Sequence, residues 1–177
     1  MATAASTHSI PVRDRAATTT RIADVASYWL IIAATYMTFG FLFYYAAKEK
    51  LFDDSGTMPA GLAKGFHGSL IASFPGTNTS WVLLGLLEGL VFLVIAASVL
   101  TGEFLPTRRK PILLSGLGLA IFAFGLMSFA ENMIGEFATV AELFSYLTGT
   151  GVLIILVLLM PPYRATHWLS SLSKRGE

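Results

Sequence analysis

Cysteine is absent from the 177 residues. That absence removes disulfides, thiol catalysis, iron–sulfur ligation and Cys-based zinc sites together, and it leaves the redox compartment without a marker. Charge is scarce as well: Asp, Glu, Lys and Arg make up 13% of the chain, about half the fraction usual in a soluble domain. The formal net charge is only +1, so no basic excess exists to neutralise phosphates, and no nucleic-acid partner is expected. The three histidines, His8, His67 and His167, all fall outside the long apolar runs. A b-type haem needs axial ligands within a bundle, so no haem is expected. His67 is expected on the opposite side of the membrane from the other two, which argues against a shared metal. No Walker loop, dinucleotide fingerprint or nucleophile–base spacing is present. No catalytic residue, metal or cofactor is therefore assigned.

What the chain does have is apolar length: 54% of it is hydrophobic. Four runs are long enough to cross a hydrocarbon core about 30 Å thick as helices: Val25 to Ala47, Trp81 to Leu100, Ile112 to Ala130 and Val140 to Met160. The expected fold is an all-α integral membrane four-helix bundle in a lipid bilayer. Residues 1–21 read as a disordered polar tail, 22–162 as the four-span domain and 163–177 as a polar C-terminal tail, a short surface helix there being anchored by Trp168. An Arg- and Thr-rich start resembles a transit peptide, but Asp14 and the missing amphipathic period count against it. The first run is too long for a secretory core and reads as a retained signal anchor. Its aromatic pairs Tyr28-Trp29 and Tyr44-Tyr45 sit where interfacial belts form, while its central aromatics are expected to pack or to meet lipid.

The connection from Lys48 to Thr79 is long enough to carry structure of its own. After a turn at Asp53-Asp54-Ser55-Gly56, the four-residue recurrence of Leu62, Phe66, Leu70 and Phe74 predicts an amphipathic helix over residues 59–74, capping the outer end of the bundle. Pro75-Gly76 ends it. Asn78-Thr79-Ser80 matches a glycosylation acceptor, although a capping Thr or Ser before the second span is the better reading.

Nine of the twelve Arg and Lys residues fall in the N-terminal tail, the Thr107-Arg108-Arg109-Lys110 link and the C-terminal tail. By the positive-inside rule both termini are cytoplasmic, and a bacterial plasma membrane is the expected location. With that orientation Lys48, Lys50, Glu88, Glu131, Asn132 and Glu142 gather in the outer half, and the inner half is expected to hold essentially no ionisable group. Glu88 lies within the second span, where a carboxylate must face the bundle and find a partner or a proton. Gly85 and Gly89 flank it as a small-xxx-small pair that lets a neighbouring helix approach. Lys48, Lys50 or a tyrosine hydroxyl of the first helix is within plausible reach. Two readings of Glu88 stay open: an outward-opening ligand, ion or proton site, or an interhelical clamp that sets helix register.

Over residues 25–160 the chain resembles the DoxX-like superfamily of small four-span membrane proteins. The residues that carry the resemblance are Lys50-Leu51 after the first span, the long outer loop, and Gly85 to Gly89 as Gly-x-x-Glu-Gly. The family's Gly-x-x-Lys stands here as Tyr45-Ala46-Ala47-Lys48. The resemblance implies a small membrane protein of a family with some quinone-linked members. Small size and the lack of thiol, haem or metal chemistry point to a non-catalytic accessory or scaffold subunit of a larger respiratory or transport complex. The alternative is a quinone-linked subunit with a proton-exchanging carboxylate. A transporter is disfavoured, since four spans without inverted repeats or broken helices make a poor alternating-access device.

Overall fold

The computed structural model describes residues 12–161, with side chains from Val25 onward; the readings of His8, His167 and the Trp168 tail lie outside them. Helix α1 runs Val12–Lys48 and continues as a π-helical turn, Glu49–Asp53. Two short helices follow, α2 (Ala60–Gly65) and α3 (Leu70–Ser73), then three long ones, α4 (Thr77–Leu100), α5 (Pro111–Ile134) and α6 (Phe137–Leu159). Among the described residues, four helices are long and apolar enough to cross a membrane. A 24-residue helix such as α4 is about 36 Å long, enough to span a hydrocarbon core of about 30 Å. The expected all-α four-span architecture is the one found. The first helix begins earlier than its apolar run, at Val12, within the stretch read from composition as a disordered tail.

The chain runs up and down, α1 packing on α4, α4 on α5 and α5 on α6. We call the end that carries residues 49–76 the loop end and the opposite one, with the α4–α5 link, the link end. The inward face of α1 is a helical stripe: Tyr28, Ile32, Thr35, Phe39, Phe43, Ala47 and Lys50 are all buried, spaced three or four residues apart as one helix face requires. The matching stripe of α4 is Trp81, Gly85, Glu88, Val91, Ile95 and Ser98. Lipid is as apolar as leucine, so close packing rather than water exclusion holds such helices together. Glycine supplies the closeness. A Cβ on Gly85 would stand 2.9 Å from the Lys50 Cβ, and one on Gly116 would stand 2.8 Å from Ile95 Cγ1. Gly89 is looser, its nearest neighbour being the Ala47 Cβ at 3.7 Å.

The loop end departs from the sequence expectation. Leu62, Phe66, Leu70 and Phe74 do not share one helix. The chain turns between α2 and α3 because Gly68 takes a left-handed φ of 80°, and Ser69 opens α3 by accepting a bond from the Ala72 N–H. Phe66 is buried with Met58 and Trp81, and Leu62 packs on that cluster; Leu70 and Phe74 are exposed and Ile71 takes the inward place. The first half of the stripe caps the bundle and the second half does not. The expected Thr or Ser cap of α4 is also corrected. Gly76 is the N-cap without a side-chain bond, and the Asn78 side-chain carbonyl instead accepts the Met58 N–H at 3.0 Å, tying the loop down.

Two measurements check this architecture. Reporter fusions after residue 60 and after Glu177 are expected to report opposite sides of the membrane; the same side for both would contradict four spans. Gly85→Ala is expected to destabilise the detergent-solubilised protein by about 1–3 kcal/mol, as overpacking does, whereas Gly89→Ala has room and leaves stability nearly unchanged. Equal effects of the two would remove the Gly85 contact as the tight point of the α1–α4 seam.

Candidate functional site

At the loop end the two stripes bring one charge from each helix together. The π-helical turn places Lys50 on the inward face of α1, and the Gly85 notch lets its backbone approach α4. The Lys50 Nζ lies 3.0 Å from Glu88 Oε2, with both side chains buried. The Lys50 ammonium is the ionic partner of the buried Oε2, which no other donor reaches among the described residues. The ammonium also sits 4.6 Å above the Trp81 ring and 3.5 Å from the Ala46 carbonyl, to which it donates. A carboxylate and an ammonium this deep are each the other's counter-ion, without which burial of either charge would be costly.

The remaining residues of the expected outer cluster are not drawn into this pair. Lys48 points off the stripe and pairs with Asp53 at 2.6 Å on the exposed surface, a contact of little energetic weight. Asn132 and Glu142 are exposed and Glu131 is half-buried. Among the described residues no hydrogen bond or ion pair joins any of the three to Glu88 or Lys50. Of the sequence candidates, the structure brings together Lys50, Glu88, Gly85 and, beside the Ala47 methyl, Gly89.

The link end holds what sequence reading missed. The expectation of an inner half without ionisable groups is corrected by Glu103 and Lys110, both buried at that end of the bundle. The α4–α5 link folds back over the helix ends so that Glu103 and Lys110 are buried while Thr107, Arg108 and Arg109 stay exposed. Gly102, at φ 74°, closes α4 with a Schellman turn: the Gly102 N–H bonds the Val99 carbonyl and the Glu103 N–H bonds the Ser98 carbonyl. The Glu103 carboxylate then accepts the N–H groups of Ile112 at 3.0 Å and Leu113 at 2.8 Å. It thereby caps α5, whose own N-cap position is Lys110 and has no acceptor to offer. The Lys110 ammonium donates to the carbonyls of Leu105, Arg108 and Pro161 at 3.1 to 3.3 Å and lies 5.3 Å from the Tyr28 ring centroid. Burial pushes the Lys110 pKa down, and the Glu103 charge opposes that. Tyr28 is buried and donates from its hydroxyl to the Phe104 carbonyl at 2.7 Å, so it locks the link in place of joining an interfacial belt. The signal for Lys110 was available in part: a lysine directly before an N1 proline, inside a four-residue link, has little room to leave the protein.

Between the ends lies a groove. Helices α1 and α6 do not pack along their length, and a laterally open cavity of about 630 Å³ separates them. Its floor includes Phe43, Phe124 and Leu153, and Glu88 lines it at the loop end. Among the described residues no three His, Asp or Glu side chains converge as metal ligands would. Compared with family models, with curated proteins and with solved structures, the chain matches none.

The buried pair makes a definite forecast. Glu88→Gln keeps the shape but strands the Lys50 ammonium, and the expected loss of stability is about 3–5 kcal/mol. The double variant Lys50→Met with Glu88→Leu removes both charges and is expected to recover most of that loss. A thermal-unfolding cycle over the single and double variants measures the coupling; singles and double that simply add would mean the two charges do not act as a pair.

Proposed function

We propose that this protein is a non-catalytic accessory or scaffold subunit of a larger membrane complex, respiratory or transport, held in a bacterial plasma membrane with both termini in the cytoplasm. The observation that carries this reading is the outward face of α1. Met37, Phe41 and Tyr45 are 57 to 61% exposed, and beside them Gly40 leaves a notch of about 320 Å³ walled by Tyr36, Tyr44 and Phe92. A large aromatic surface around a small-residue notch is how one membrane helix receives another. The inward charges support the same reading, since Lys50, Glu103 and Lys110 are engaged in holding helices to one another, and Glu88 pairs with Lys50 while its side chain also borders the α1–α6 groove. The resemblance to DoxX-like proteins, which rests on Lys50-Leu51 and the Gly85–Gly89 segment, is compatible with it. The second reading, a quinone-linked subunit with Glu88 exchanging protons, is favoured by one fact only: Glu88 lines the α1–α6 groove.

Purification of the full chain in mild detergent tests the proposal. A defined set of integral membrane proteins is expected to co-purify in fixed stoichiometry, and deletion of this chain is expected to lower the activity or the assembly of that set. Phe41→Ala combined with Tyr45→Ala is expected to weaken the association about tenfold or more, the loss of two buried aromatic anchors, with the four-span fold intact. A monodisperse chain purifying at its own mass, with no complex affected by its deletion, would end the accessory-subunit reading.

A further inference from the structure

The α1–α6 groove has a length, a depth and a polar end, and these together describe an occupant. On α1 its lining runs from Thr38 to Ala46 and on α6 from Leu143 to Leu153, which at about 1.5 Å per residue is a length of about 12–15 Å. That is half of a hydrocarbon core about 30 Å thick. The groove occupies the loop-end half; its lining on α6 ends at Leu153, short of the buried Val157 and Met160. A partner's transmembrane helix needs a seam along the whole height, and none exists here. A molecule confined to one leaflet fits the length, and about 630 Å³ lies within the range of roughly 300–1,000 Å³ typical of small-molecule sites.

The walls are mostly apolar, with the hydroxyls of Thr38, Ser145, Tyr146 and Thr150 along them and the Glu88 carboxylate at the loop end. Thr150 and Ser145 donate their hydroxyls to the carbonyls of their own helix, Tyr146 and Ala141, and so offer no free donor. Glu88 is 2% exposed and is the one charged residue lining the cavity; its Oε2 is buried against the Lys50 ammonium at 3.0 Å, and among the described residues no other donor reaches the carboxylate. Paired with an ammonium, a carboxylate accepts hydrogen bonds and donates none. We propose that the α1–α6 groove is a lateral, single-leaflet binding site for a lipid-like alcohol, its chain lying between α1 and α6 toward the bilayer centre and its neutral hydroxyl donating to the Glu88 carboxylate. An anionic head meets no unpaired cation beside Glu88, and a ketone head, which only accepts, gains no hydrogen bond from the Glu88 carboxylate. The proposal stands independently of the accessory-subunit reading.

Three photoactivatable diazirine probes of equal chain length separate the possibilities: an octadecyl alcohol, the matching ketone and the matching alkane, each presented to the full chain in phosphatidylcholine vesicles. The alcohol is expected to label residues 38–46 and 143–153 about tenfold more than the ketone or the alkane, the discrimination one charge-assisted hydrogen bond provides, and unlabelled alcohol is expected to compete. Gly149 lines the groove, and a Cβ there meets nothing within 4 Å, so Gly149→Leu is expected to fill the groove, fold normally and abolish the specific labelling. Equal labelling by alcohol and alkane, spread over the lipid face of all four spans, would show ordinary acyl chains in the groove and overturn the site. Preference for the ketone would overturn the donor-headed assignment and favour the quinone-linked reading instead. Labelling unchanged in Gly149→Leu would place the probe elsewhere and overturn the proposal.

Discussion

Lys50 and Glu88 meet inside a medium that solvates neither, and the geometry of the loop end follows from that constraint. Separately, each charge would have to reach water or lose its charge, because burying an isolated ion costs several kcal/mol at the least. Together they need contact at 3.0 Å, and contact requires that α1 and α4 lie nearly touching. Gly85 provides the approach: any side chain there would collide with the Lys50 Cβ and with Leu51. The π-helical turn Glu49–Asp53 extends α1 past its α-helical end and carries Lys50 onto the inward stripe. The pair, the glycine and the turn are therefore one device, and altering any of them disturbs the other two.

The opposite end solves a different problem with the same economy. A four-helix bundle in lipid must satisfy the helix-terminal N–H and C=O groups that its connections bury. Glu103 serves two helices, its backbone N–H closing α4 and its carboxylate opening α5. Lys110 gathers three carbonyls, one of them Pro161 at the end of α6. The first, third and fourth spans are thus tied at the link end through Tyr28, Lys110 and Pro161. At the loop end the clamp joins only the first and second spans, so α1 and α6 are left apart there and the groove opens. A bundle closed at one end and parted at the other follows from where its two polar devices were placed.

The four spans, the lack of thiol chemistry and the basic link were legible in the residues, because each is a property of a continuous stretch: apolar length or composition; of the two flanking glycines, the structure makes Gly85 the close-approach point. The choice of Lys50 over Lys48 as the partner of Glu88 was legible in principle too. Lys50 continues the stripe Phe39, Phe43, Ala47, and Lys48 does not. The amphipathic helix of residues 59–74 was misread because a four-residue apolar recurrence was weighed above Gly65 and Gly68, and glycine at φ 80° ends a helix that periodicity would continue.

What the tertiary structure alone decided lies between stretches distant in the chain. Glu103 and Lys110 look like an ordinary solvated link until the link folds over the helix ends and their charges find backbone dipoles. The half-length groove depends on how far α6 leans from α1, which no local pattern encodes, since helix rotation and spacing are set by the summed packing of all four faces. Glu88 is a carboxylate in an apolar run by sequence; that it touches an ammonium and also lines the open α1–α6 groove is a fact of the packed bundle. Local physics determined which segments cross the membrane, and only the assembled helices determined what their buried charges face.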